Sequence, residues 1–266
     1  MNNIDKRKEK YYYYFRMTWK SSEKRTKNGK EGEKMYKVIL IDIDDTLFDY
    51  KKAEDNAIRK VFEDFGYFKN YENEKTFKEV KEKYSIINKE FWEKLEKGLV
   101  TKEKLKTERF KKLFEATDLD YSPSDFSRRY LKRLGEGNFL FDGAEEFCKY
   151  IKSKYKVAIV TNGIKEVQMS RIGSSGISGY IDEIVISDEI GIGKPHPEIF
   201  EYALKKLGHE DKRDVIMIGD SQTADVQGGI NFGIDTCWIN IVGKKEDESI
   251  KATYKVDKIE ELYGII

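Results

Sequence analysis

The chain has 266 residues, enough for one large domain, or a domain carrying an insertion, with a sizeable core. Its 50 basic and 49 acidic residues leave a net charge of +1, so nothing global points to nucleic acid or a membrane as a partner. No apolar run reaches the roughly eighteen residues of a membrane span, the start lacks the apolar segment of a secretory signal, and Cys148 and Cys237 form no CxxC pair; the expected location is the cytoplasm.

Residues 1–34 carry eleven Lys or Arg against five acids, a net of +6 that leaves the remainder at −5. This arm has a Tyr run, Tyr11 to Tyr14, but no sustained apolar period, and is expected to be disordered, with Met35 a candidate biological start. A basic arm that touches RNA or anionic lipid is the sharper alternative. The first strand is expected over 37–42, in "KVILID".

From 51 to 135 only helical spacing is found. Ala57, Ile58, Val61, Phe62 and Phe65 form one stripe, and Phe77, Val80, Tyr84, Ile87 and Phe91 recur at alternating steps of three and four until Gly98. "TKEKLKTERFKKLF" and "SPSDFSRRYLKRL" supply two more helices, the second entered through Ser122 and Pro123. After a helix at 142–154, short apolar strands alternate with helices: "KVAIVT", "DEIVIS", "DVIMIGD" and "DTCWIN". That alternation predicts an α/β fold, a doubly wound parallel-sheet core built from 35–50 and 136–266, with a helical cap at 51–135 inserted after the first strand.

In open parallel sheets ligands bind beyond the carboxyl ends of the strands. Four strand ends here carry polar groups: Asp42 with Asp44, Thr161 with Asn162, Ser187 leading to Lys194, and Asp220 with Asp225. Carboxylates at Asp42, Asp44 and Asp220 repel one another, which a cation or a retained proton must relieve. Oxygen ligands without His or Cys favour Mg²⁺, and Lys194 with the Thr161 hydroxyl completes a site suited to a phosphoryl group. Asp42 can then attack phosphorus as a nucleophile, while Asp44 protonates the leaving alcohol.

"DIDDTL" (42–47), Thr161, "GKPHPEIF" (193–200) and "GDSQTAD" (219–225) resemble, in order and spacing, the four motifs of the haloacid dehalogenase superfamily. The resemblance implies Asp42 as nucleophile of an aspartyl-phosphate intermediate and Asp44 as general acid and base. It implies Mg²⁺ held by the Asp42 carboxylate, the Asp44 main-chain carbonyl and Asp220, with Asp225 in support, and phosphate bound by Thr161, Asn162 and Lys194. An Asp at position 44 fits phosphatases and phosphomutases. "GDSQTADVQGGINFGIDTCWIN" (219–240), with "TNG" at 161–163, is similar to the bacterial 5′-nucleotidases of this superfamily that act on pyrimidine and non-standard nucleoside monophosphates.

Other residues receive plainer readings. Asp45 reads as a turn residue and His209 as surface; His196 reads as a loop residue. Gly228, Gly229 and Gly233 lack dinucleotide-loop spacing and read as sites of close helix–sheet approach. Asn88 and Trp92 read first as core packing and second as pocket lining, and Gly135 and Gly137 mark a candidate hinge. The favoured function is Mg²⁺-dependent hydrolysis of a small phosphomonoester, a nucleoside monophosphate first. A sugar-phosphate phosphatase, a phosphomutase and a non-catalytic binding protein on the same scaffold are the alternatives.

Overall fold

The computed structural model describes residues 35–266, so the expectation for the basic arm lies outside the described residues. Among them, six strands form one parallel sheet in the order β3-β2-β1-β4-β5-β6: β1 (Val38–Ile41), β2 (Lys156–Thr161), β3 (Glu183–Ile186), β4 (Val215–Gly219), β5 (Asp235–Ile239) and β6 (Tyr254–Val256). The chain steps outward from β1 to β3, then returns to the other side of β1 with β4. This reversal puts the topological switch point between β1 and β4, which pair in register from Val38 with Val215 to Ile41 with Ile218.

The period of two along each strand explains why both faces are covered. Ile39, Ile41, Ile159, Ile216 and Ile218 face one side, where Phe147 and Ile151 of α5 (Ala144–Lys152) and Ile172 of α6 (Lys165–Gly173) pack on them. Val38, Leu40, Ala158, Val160 and Met217 face the other, against Phe200 and Ala203 of α8 (Pro197–Lys206) and Phe232 of α9 (Gln227–Phe232). A short α7 (Ser187–Ile190) follows β3 directly. A side chain at Gly228 or Gly229 would lie 2.6 Å from the Phe200 ring or 2.3 Å from the Thr236 methyl, which is why α9 can lie flat on the sheet.

Between β1 and α5 the chain builds a separate helical layer: α1 (Tyr50–Asp64), α2 (Tyr71–Glu96), α3 (Lys102–Thr117) and α4 (Pro123–Gly135). Each start is capped by a side chain at its N-cap, Asp49, Asn70, Thr101 and Ser122 in turn, and Pro123 occupies the first turn of α4. The expected stripes face inward, and Phe126 touches Phe62, Phe110 and Phe114 with ring centroids 4.9, 5.0 and 5.0 Å apart. Such pairs contribute about 0.5–1.5 kcal/mol each beyond burial. The two chain segments joining this layer to the sheet lie side by side, tied by Asp49 N–H to the Phe139 carbonyl and Phe141 N–H to that of Leu47, both at 2.9 Å.

Three details differ from the sequence reading. β6 was not expected; it is a three-residue edge strand after a long loop, too short to show a period. Asp225, grouped in the sequence with the strand end at Asp220, lies in a π-helical turn of its own, Gln222–Val226, ahead of α9. His209 is not on the surface: its ring is only 13% exposed and Nε2 lies 2.6 Å from Asp214 Oδ1.

Candidate active site

β1 ends just before Asp42, β4 ends just before Asp220, and the π turn after β4 brings Asp225 back against both. The three are buried, and each can offer an oxygen within 4.8 Å of the others. The Ser221 N–H donates to Asp225 Oδ2 at 2.9 Å, which fixes that carboxylate against the turn.

Two lysines offset part of the charge. Lys194 Nζ lies 2.5 Å from Asp42 Oδ1 and 2.6 Å from Asp225 Oδ1, and donates to the Val160 carbonyl at 2.6 Å. Its backbone is clamped from both sides by Asn162, whose Oδ1 accepts from Lys194 N–H and whose Nδ2 donates to the Lys194 carbonyl, both at 2.8 Å. Asn162 therefore spends its side chain on aiming the lysine. The Lys194–Pro195 bond is cis. Lys244, which the sequence reading did not single out, pairs with Asp220 and lies 3.3 Å from Asp45 Oδ2. Asp45 has a left-handed backbone (φ 56°), so the turn reading of that residue holds.

Burial pushes the Asp42 carboxyl well above its usual range, with Lys194 opposing and Asp225 and Asp220 adding to the rise. Burial likewise raises Asp220 to about 7 against the pull of Lys244. A set of hard oxygen donors, free of His and Cys and short of positive charge, suits a divalent cation such as Mg²⁺.

Asp44 faces away from this cluster toward α6. Its Oδ1 pairs with Arg171, its Oδ2 accepts from Gln168 Nε2 at 2.6 Å, and Arg171 also donates from Nε to the Gly137 carbonyl at 2.9 Å. Sequence reasoning missed both partners; the signal was two polar residues three apart, Gln168 and Arg171, each next to an apolar residue, Val167 and Ile172, on the inward side of the same helix. Gln168 Nε2 also donates to Thr161 Oγ1 at 3.1 Å, linking the end of β2 to Asp44. The N-terminus of α6 is not simply open, since Lys165 N–H donates to Asp188 Oδ2 at 3.0 Å.

Beside Lys194 the sheet and the helical layer enclose a crevice of about 510 Å³, lined among others by Trp92, Glu96, Lys102, Asn162, Lys194 and His196. The size suits a drug-sized or nucleotide-sized ligand. Asn88 is buried deeper, between Glu54 and Arg109. The family model of haloacid dehalogenase-like hydrolases matches residues 36–233.

The chain belongs to this family. The HAD-hydrolase YfnB of Bacillus subtilis is 33% identical over 88% of this chain and 96% of that protein. The pyrimidine 5′-nucleotidases YjjG of Escherichia coli and PynA of Streptococcus pneumoniae are each 31% identical, over 86% and 85% of this chain and 96% and 93% of theirs. The magnesium-bound crystal structure of YfnB, described as revealing interdomain movement, superposes with a TM-score of 0.80 over 87% of this hydrolase and 99% of that chain. No helix among the described residues is long and apolar enough to cross a membrane.

Proposed function

We propose that this hydrolase is a Mg²⁺-dependent nucleoside 5′-monophosphatase that works through an aspartyl-phosphate on Asp42. The observation that carries the reading is the meeting of Asp42, Lys194, Asp220 and Asp225 at the switch point between β1 and β4, with a nucleotide-sized crevice beside them. The activity of YjjG and PynA toward pyrimidine nucleotides supports the substrate class.

In this reading the carboxylates of Asp42, Asp220 and Asp225, with the main-chain carbonyl of Asp44, would hold Mg²⁺, which offsets negative charge on the phosphoryl oxygens. Lys194 and the Thr161 hydroxyl bind those oxygens, and Asn162 keeps Lys194 in place. An oxygen of Asp42 attacks phosphorus, the bond to the nucleoside oxygen breaks, and Asp44 delivers a proton to that oxygen. A water then attacks the phosphorus of the aspartyl-phosphate and gives a proton to Asp44. The phosphorus–Asp42 bond breaks and phosphate leaves. The helical layer of residues 51–135 would exclude bulk water during the first attack.

The test is phosphate release by the full chain from nucleoside monophosphates and from sugar phosphates, with Mg²⁺ and with EDTA. Hydrolysis of pyrimidine monophosphates that stops in EDTA is expected. Release from sugar phosphates alone would replace the substrate class, and transfer to a second sugar without net release would replace hydrolysis by a mutase reaction.

A further inference from the structure

Gln168 lies on the buried side of α6, and its amide is held from both ends. Its Oε1 accepts from Arg171 Nη1 at 3.2 Å, and because a guanidinium only donates, this contact fixes which end of the amide faces which way. The two hydrogens of Nε2 then go to Asp44 Oδ2 at 2.6 Å and to Thr161 Oγ1 at 3.1 Å. The side chain reaches Thr161 through space that a side chain at Gly163 would fill. A Cβ there would lie 2.2 Å from Nε2 and 2.6 and 2.7 Å from Cγ and Cδ of Gln168, so glycine at 163 is what admits the amide.

Thr161 is buried, and its hydroxyl has one hydrogen to give and two lone pairs to fill. The Gln168 amide fills one lone pair, and the Gly163 N–H, 3.1 Å away, fills the other. Both partners are N–H groups that can only donate, so neither can take the hydroxyl's own hydrogen. The hydroxyl is thus held as a donor before any ligand arrives. A freely turning hydroxyl could present a lone pair to an anion as readily as its hydrogen, whereas a donor set in advance costs no reorganisation when charge builds up beside it.

Resting on the phosphoryl chemistry proposed above, whichever alcohol leaves, we infer that Gln168 is a positioning residue that fixes the polarity of the Thr161 hydroxyl, so that a phosphoryl oxygen meets its hydrogen and not its lone pairs. The same nitrogen holds Asp44. One buried amide therefore sets both the group that binds the phosphoryl oxygen and, in that reading, the carboxyl that serves the leaving oxygen. Without the amide the hydroxyl is free to turn, and its hydrogen is shared among competing acceptors.

The experiment measures, by calorimetry and so without turnover, the binding of orthovanadate to the full chain with Mg²⁺, in the wild type, Thr161→Val, Gln168→Met and the double variant. Gln168→Met removes the amide at similar length and adds no charge. Each single change is expected to weaken binding by about tenfold. The double variant should bind no more weakly than Thr161→Val alone, because Gln168 acts through the hydroxyl that valine lacks. Losses that multiply in the double variant would mark Gln168 as structural and overturn the proposal, as would unchanged affinity in either single variant. If Gln168→Met does not fold, Gln168→Glu decides: it keeps the shape but offers an acceptor, which draws the hydroxyl's hydrogen inward. Its charge weakens binding in either background, so the expected result is a loss about tenfold larger with Thr161 present than in Thr161→Val. Equal losses overturn the proposal. If that happens in a wild type that hydrolyses nucleotides, the nucleotidase reading stands. A wild type that binds no vanadate and releases phosphate from no monoester overturns both.

Discussion

Lys194 is shared between Asp42 and Asp225, and this explains how the candidate nucleophile can be removed without collapse. Neutralising one partner leaves the buried ammonium paired with the other, so no uncompensated charge is stranded. Asp42→Asn is therefore expected to keep its fold and lose at least ~10³-fold in turnover, since the covalent step has no substitute. Near-normal phosphate release by a folded variant would remove Asp42 from that role. The sequence disclosed these residues because each follows a strand in a row of similar strands. It did not disclose Gln168, Arg171 or Lys244, whose contacts join segments 124, 127 and 24 positions away and follow from no local pattern.

At the level of elements, two features tie the helical layer to the sheet. Gly137, in the returning segment, has the Ala53 methyl 2.8 Å from where its own Cβ would stand. Its lack of a side chain thus serves close packing, beyond any hinge role. Gly137→Ala should cost about 1–3 kcal/mol by overpacking, a fall in Tm of roughly 2–10 °C for a domain this size; an unchanged Tm would show that the segment gives way freely.

The second feature is Lys102 at the start of α3, which donates to Ser187 Oγ at 2.7 Å and to the Gly163 carbonyl at 3.3 Å, with Asp188 3.7 Å away. Burial pulls its ammonium down to about 8, against the pull of Asp188. Above that pH the lysine loses its proton and with it the attraction to Asp188. KM should therefore rise as pH passes about 8, and Arg at this position, charged throughout, should abolish the inflection. The same inflection in Lys102→Arg would assign it elsewhere. The helices themselves were legible because their periods were long and their caps orthodox, whereas β6 and α7 were too short to carry either.

For the molecule as a whole, the parallel sheet and its covering could be read from alternation alone, because strands buried on both faces are continuous apolar runs. The polar interior of the helical layer could be read only in part: Asn88 reads as core packing, but its partners Glu54 and Arg109, on two other helices, look like solvated positions in isolation. The carboxylates at the switch point also set a global property. Their mutual repulsion is a charge on the native state that a bound divalent cation relieves, so Mg²⁺ should stabilise folding by mass action, about 2.7 kcal/mol at a hundred times its Kd. Thermal unfolding with Mg²⁺ and then with EDTA measures this directly. No shift between the two would exclude tight binding to the folded state.

Arg171 holds Asp44 with one nitrogen and the Gly137 carbonyl with another, while its guanidinium lies 4.8 Å from the centre of the Phe48 ring. The proposed proton donor and the segment returning from the helical layer are thus fastened to a single side chain. If Asp44 is the acid of the proposed reaction, any shift of the Gly137 segment acts on it through Arg171. Arg171→Lys, too short to span both, should slow substrates with poor leaving groups, such as UMP, by about 10²-fold while barely affecting p-nitrophenyl phosphate, whose phenolate departs with little help. Equal slowing of both would mean that Arg171 governs attack on phosphorus instead of the timing of the proton.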